Sequence, residues 1–233
     1  MATVSKRTIR RCRYPGVIFD LDGTLLDSMD VWSRIDEEFL ADYGIAVPSD
    51  YMAAVSAMGF RETAEYTIAR FSLPATPEEL MERWLRMAQE EYAHHVMLKA
   101  GAHELLEALR AGGAALAIAT ASRREHFLPC LKRNGVLDDF QVIVTTDDAG
   151  CGKSSPAIFR LAAERLSLRP EQCAVFEDSL AAARSAKDAG TVPFGVYDAK
   201  SAETEQEMKR VCAGYFSNLF EACSSPLLWK DNN

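Results

Sequence analysis

The sequence has little that would staple a chain covalently or through a structural metal. Its six cysteines, Cys12, Cys130, Cys151, Cys173, Cys212 and Cys223, are widely spread and include no Cys-x-x-Cys pair, which argues against a zinc ribbon and a disulfide framework. Long apolar runs are missing too. No stretch approaches the roughly 18 consecutive apolar residues of a membrane-spanning helix, and the N-terminus lacks the apolar core of a secretory signal. A cytoplasmic protein with no membrane partner is expected. Positive charge is scarce: the formal net charge is −8, which argues against broad nucleic-acid binding, because a phosphate backbone recruits an excess of Lys and Arg. Only the first segment departs from this, since Lys6, Arg7, Arg10, Arg11 and Arg13 have no acid among them. Residues 1–14 read as a solvated basic tail. Repeats and low-complexity segments are also lacking.

What is present is an ordinary globular composition, 48% hydrophobic over 233 residues. A chain of that size buries roughly three quarters of its unfolded surface and folds unaided. The dominant pattern alternates a short apolar run with an amphipathic helix, as parallel strands joined by crossover helices require. The runs Gly16 to Asp20, Ala114 to Thr120, Gln141 to Thr145, Cys173 to Glu177 and Pro193 to Tyr197 read as strands. Helix ends are also legible: Ser122 with Glu125 as a capping box, Ser155 before Pro156 at a first helical position, and Gly190 after a last turn. Between the first two strands the pattern becomes helical, with Trp32, Ile35 and Phe39 on one face up to Gly44 and a second helix opened by Thr76, Pro77, Glu78 and Glu79. The expected fold class is α/β, a Rossmann-like parallel sheet core with an inserted all-α domain. The core takes residues 15–28 and 99–222 and the insertion residues 29–98, with hinges near Asp27 and Lys99 to Gly101. After residue 199 a helix over Ala202 to Val211 is expected, then Tyr215, Phe216, Leu219 and Phe220 at helical spacing. Residues 223–233 read as a second tail.

Chemistry concentrates where apolar runs stop. Val17 to Phe19 ends in Asp20 and Asp22, and side chains two apart on an extended backbone point the same way. Both acids would then face a ligand at the carboxyl edge of the sheet, where open α/β folds bind theirs. Two carboxylates so close repel and call for a cation or a shared proton. A second pair, Glu177 and Asp178, follows the run Cys173 to Phe176 and is itself followed by Ser179. Hard oxygen ligands gathered at a sheet edge suit magnesium. Lys153, between Gly152 and Ser154, invites a nucleotide-cradling P-loop reading, but that motif needs Gly where Asp147 stands. Lys153 fits better as a counter-charge for the acids or for a phosphate. Thr120, Ala121 and Ser122 run from a strand into a helix N-terminus, where free N–H groups favour an anion.

In these four ordered motifs the sequence resembles the haloacid dehalogenase superfamily, specifically its β-phosphoglucomutase-like and phosphatase group with a helical cap after the first strand. The resemblance spans roughly Gly16 to Ala199. Asp20 to Thr24 match the first motif, Thr120 the second, Lys153 the third within Lys153-Ser154-Ser155-Pro156-Ala157-Ile158-Phe159, and Glu177 with Asp178 the fourth. The resemblance implies an enzyme in which Asp20 is the nucleophile, forming an aspartyl phosphate, and Asp22 the general acid and base. It implies magnesium held by Asp20, the Asp22 carbonyl and Asp178, with Glu177 a direct or water-mediated ligand, and with Thr120, the Ala121 N–H and Lys153 gripping the phosphoryl oxygens. Arg61 matches a cap residue that contacts substrate. Trp32 stands where the mutase pattern has His, which favours hydrolysis over transfer.

The expected activity is magnesium-dependent hydrolysis of a small phosphorylated metabolite, such as a sugar phosphate. A sugar phosphate mutase is the alternative. Hydrolytic dehalogenation would need neither a metal nor Asp22. An inactive binding module would have no reason to keep two repelling acids together. The partner is thus a small phosphate ester, and the sequence is compatible with a monomer.

Overall fold

A computed structural model describes residues 10–55 and 58–230 of the chain. Six strands form one sheet: β1 (Gly16–Phe19), β2 (Ala115–Thr120), β3 (Val142–Thr145), β4 (Cys173–Glu177), β5 (Val192–Val196) and β6 (Gly214–Phe216). Their order is β3-β2-β1-β4-β5-β6, and every neighbouring pair is parallel. From β1 the chain builds outward through β2 and β3, then returns to the other side of β1 as β4. The two halves therefore diverge between β1 and β4, and the crevice at such a point, beyond the carboxyl ends of the strands, is where ligands bind.

Period-two alternation sorts the central strands into two buried faces. Phe19, Phe176 and Phe194 lie side by side on β1, β4 and β5, their rings stacked at 4.8 and 5.5 Å between centroids, and Phe216 continues the ladder at 5.9 Å from Phe194. Ile18 and Val175 point to the other face, onto the helices Ala157–Arg165 and Leu180–Asp188 through Ile158, Phe159, Ala182 and Ala186. Both faces are covered, so the strands read as nearly continuous apolar runs.

Contacts divide the chain into two compact units, Ser28–Val96 and the described residues on either side of it. The first contains the helices Val31–Ala41, Tyr51–Val55, Phe60–Phe71 and Pro77–His94, and no strand among its described residues. Thr76 opens the last helix as the sequence pattern requires: its hydroxyl accepts from the Glu79 N–H at 3.3 Å, and the Glu79 carboxylate returns to the Thr76 N–H at 2.8 Å. Leu80, Trp84, Ala88 and Tyr92 form the buried stripe of that helix.

The structure corrects the sequence reading at several places. Tyr215 and Phe216 belong to the three-residue edge strand β6 rather than to a helix, because Phe216 completes the phenylalanine ladder and the next helix begins only at Leu219. Ser122 does not cap the following helix, whose N-cap is Arg123 without a side-chain bond. Ser155 likewise sits one residue further out, since Pro156 is the N-cap.

The two expected tails are also docked where they are described. Cys12 bridges Trp229 in antiparallel fashion, and the Arg13 N–H donates to the Leu228 carbonyl at 2.8 Å. Trp229 is only 2% exposed and its indole N–H donates to the Ala222 carbonyl at 3.0 Å. Burial of a large aromatic ring outweighs the polar composition of the flanking residues. Residues 1–9, with Lys6 and Arg7, and residues 231–233 lie outside the described residues. Replacing a buried Trp by Ala typically costs 3–5 kcal/mol. Trp229→Ala should therefore lower the unfolding free energy by about 3 kcal/mol or more in urea titrations, whereas a loss below about 1 kcal/mol would mean that this terminus does not dock.

Candidate active site

The carboxyl ends of β1, β2 and β4 bring the sequence-selected residues together. β1 stops at Phe19, so Asp20 and Asp22 lie in the turn that follows rather than on the strand. The Asp20 N–H still donates to the Phe176 carbonyl at 3.0 Å, extending the ladder by one bond, and then the chain folds tightly. The N–H groups of Thr24, Leu25 and Leu26 converge on the Leu21 carbonyl at 2.8–3.2 Å, with Gly23 at a φ of 79° where a side chain would be strained. Buried Leu21, Leu25 and Leu26 anchor the turn from below.

The two acids consequently engage different partners. Asp20 meets the Lys153 ammonium at 2.5 Å, and the same ammonium contacts Glu177. Asp22 instead accepts a hydrogen bond from the Ser122 hydroxyl. The Ser122 N–H in turn donates to Thr120 Oγ1 at 3.0 Å, so the end of β2 reaches the turn through Ser122. Ala121 is exposed between them.

Asp178 is held from two sides. Thr24 donates to its Oδ1 at 3.4 Å and Ser201 to its Oδ2 at 2.9 Å. The Glu177 carboxylate also accepts from the Ser179 N–H at 3.2 Å. Carboxylate oxygens of Asp20, Glu177 and Asp178 all lie within 4.8 Å of one another, and all three residues are buried.

Such a cluster is electrostatically expensive, and its titration reflects this. Burial pushes the Asp20 carboxyl well above its usual range; Lys153 pulls it down, while Glu177, Asp178 and Asp22 push it up again. Burial likewise raises Glu177 and Asp178. For Lys153 burial alone would favour the neutral amine, but the ion pairs with Asp20 and Glu177 overcome it and hold the ammonium charged. One ammonium cannot neutralise three converging carboxylates. The donor set is all oxygen, and a second positive charge among these atoms satisfies both the repulsion and the desolvation. The residues therefore fit a hard divalent cation such as magnesium.

The helical unit contains the other two candidates. Arg61 sits exposed in the first turn of the helix Phe60–Phe71, with ion pairs to Glu78 at 2.6 Å and Glu65 at 3.7 Å. Trp32 is 41% exposed and meets the Phe60 ring edge-on at 5.7 Å. No sequence pattern marks Thr24 and Ser201 as partners of Asp178. Thr24 stands inside the first motif, but Ser201 lies in the short 3-10 helix Ala199–Thr204 after β5, with no pattern to mark it. Nothing in the sequence marks Ser122 as the partner of Asp22.

The raised carboxyl groups fix how stability depends on pH. Between the ordinary carboxylate values of 3.8 and 4.5 and the raised folded ones, the folded state binds more protons than the unfolded state. Stability of the metal-free protein is thereby lost as pH rises through that window. A cation that binds the ionised groups acts in the opposite sense and competes with protons. Millimolar magnesium should raise the melting temperature at about pH 7.5 by clearly more than at about pH 5, as read by differential scanning calorimetry. An equal shift at both would show that the cation binds elsewhere.

Comparison with known proteins agrees with this arrangement. The family model of haloacid dehalogenase-like hydrolases matches residues 14–190. YhcW of Bacillus subtilis is 32% identical over 180 residues, which cover 75% of this chain and 79% of that one. A phosphorylated carbohydrates phosphatase of Thermotoga maritima is 28% identical over 174 residues, covering 75% and 81%. A solved hydrolase of Deinococcus radiodurans with bound phosphate and sodium, of the same family, superposes with a TM-score of 0.70 at 25% identity over 90% of this chain and 93% of its own. A match over most of the length, together with an acidic cluster at the point where the sheet divides, places this enzyme in the haloacid dehalogenase-like hydrolase family.

Proposed function

We propose that the protein is a magnesium-dependent phosphomonoester hydrolase for small phosphorylated metabolites, a sugar phosphate among them. The observation that carries this reading is the buried cluster in which Lys153 meets Asp20 and Glu177 beside Asp178. An attacking carboxylate and a phosphate are both negative, and fixed positive charge must offset their repulsion. The phosphatase relative in Thermotoga maritima supports the substrate class.

Asp20 serves as the nucleophile: its carboxylate oxygen bonds to phosphorus as the ester P–O bond breaks. Asp22 delivers the proton that the leaving oxygen needs and afterwards takes one from the water that hydrolyses the aspartyl phosphate. The Ser122 hydroxyl orients the Asp22 carboxylate for both transfers. Thr120, the Ala121 N–H and Lys153 bind the transferring phosphoryl oxygens. Asp20, Asp178, Glu177 and the Asp22 carbonyl are the residues that would hold magnesium. When bound, the ion lowers the repulsion between carboxylate and phosphoryl group. Trp32 and Arg61 are the helical unit's candidates for recognising the part of the substrate that is not phosphate. Trp32 offers an indole face suited to a sugar ring, and its standing where the mutase pattern has His favours hydrolysis over transfer between sugar positions.

The test is phosphate release from a panel of phosphorylated metabolites and an aryl phosphate, with and without magnesium. Asp20→Asn should lose several orders of magnitude in kcat/KM; full activity in that variant would end the mechanism. Asp22→Asn should cost about 10²- to 10⁴-fold on an alkyl ester such as a sugar phosphate, and clearly less on p-nitrophenyl phosphate, whose leaving group needs no proton. Equal losses on both would remove Asp22 from the acid role. Interconversion of sugar 1- and 6-phosphates with a bisphosphate primer, at a rate above hydrolysis, would replace the hydrolase by a mutase.

A further inference from the structure

Asp178 is gripped by two loops that come from different strands, and a third element ties those loops to each other. Thr24, from the turn after β1, holds Oδ1, and Ser201, from the segment after β5, holds Oδ2. Lys99 belongs to neither loop. Its ammonium donates to the Gly23 carbonyl at 2.7 Å, to the Tyr197 carbonyl at 2.7 Å and to Asp198 Oδ2 at 2.8 Å. Asp198 is itself buried, and its other oxygen accepts from the Lys200 N–H at 2.9 Å, turning the chain toward Ser201. The contacts thus close a ring. It runs from Lys99 through the Gly23–Thr24 peptide to Asp178, and back through Ser201 and Asp198 to Lys99.

We infer that Lys99 is a positioning residue for Asp178: without touching that carboxylate, it locks together the two loops whose hydroxyls orient it. This rests on the reading of Asp178 as a magnesium ligand in a hydrolase. Three features make Lys99 suited to the task. An ammonium has three donors, and here each meets a separate acceptor. Its side chain is largely buried beside a buried Asp198, where a charge-assisted bond is stronger than a neutral one. Its own backbone is fixed, because the Lys99 N–H donates to the Leu25 carbonyl at 2.8 Å within the same turn that carries Thr24. Removing the ammonium would release the Gly23–Thr24 peptide plane and leave Asp198 buried without its cation. Partners that orient a ligating carboxylate commonly matter about 10- to 100-fold for metal affinity.

The experiment has two readouts on Lys99→Met, Ser201→Ala and the double variant, with the melting temperature of each as a check on folding. Hydrogen exchange of the intact protein needs no metal and no turnover. Lys99→Met should speed exchange in both the 20–26 and the 197–204 segments, and Ser201→Ala should affect only the second. Unchanged exchange of 20–26 in a folded Lys99→Met protein overturns the inference. The Lys99→Arg variant, with a charged head that can donate, should restore most of the protection.

Magnesium titration by calorimetry is the second readout. Lys99→Met should weaken binding about tenfold, and the double variant should weaken it by less than the product of the two single effects, because both act on the same carboxylate. Losses that multiply independently would also overturn the inference. A wild-type protein that binds no magnesium would refute the reading of the site as a magnesium-dependent hydrolase, while the exchange result would still decide whether Lys99 locks the two loops.

Discussion

The constraint on which this structure depends is that three buried carboxylates converge within a few ångströms and cannot all be ionised there without added positive charge. Every nearby feature reads as a response to that cost. Lys153 brings its ammonium to two of the three groups. Thr24, Ser201 and the Ser179 N–H donate to lone pairs that would otherwise face a dry interior. Even so, burial keeps all three acids raised. Asp20, the nucleophile of the proposed mechanism, is thus held in a place that favours its neutral form. A divalent cation held among these carboxylates would resolve the conflict.

Topology explains why the cost is met at this point. β1 and β4 are adjacent, and their register places Phe19 beside Phe176. The residues immediately beyond, Asp20 and Glu177, therefore emerge side by side at the division of the sheet. The phenylalanine ladder through β1, β4, β5 and β6 fixes this register from the apolar side, because a one-residue slip would turn every ring to the wrong face. Packing in the core and charge at the edge are in this sense two ends of one arrangement.

Much of this was legible in the sequence, for physical reasons that differ by element. Strands buried on both faces announce themselves as short apolar runs, so β1 to β5 fell within a residue or two of their expected bounds. Acids placed directly after such runs have few explanations other than a ligand at the sheet edge. Thr76 with Glu79 needed only local capping chemistry. What escaped the sequence depends on contacts made over long separations. β6 is three residues long and is a strand only because β5 lies beside it. Trp229 is buried against the segment at Cys12 and Gly112, far from it in sequence. Ser122 has the composition of a cap, but Asp22, a hundred residues away, claims its hydroxyl. Lys99 and Ser201 carry no local signal, since their partners are assembled by the fold.

The most direct measurement of the central claim is a crystal structure of the protein grown with manganese as an anomalous stand-in for magnesium. A single strong anomalous peak within coordination distance of Asp20 and Asp178 is the predicted result. A well-ordered site with the carboxylates in place and no peak among them, at manganese concentrations that saturate other magnesium enzymes, would contradict the account.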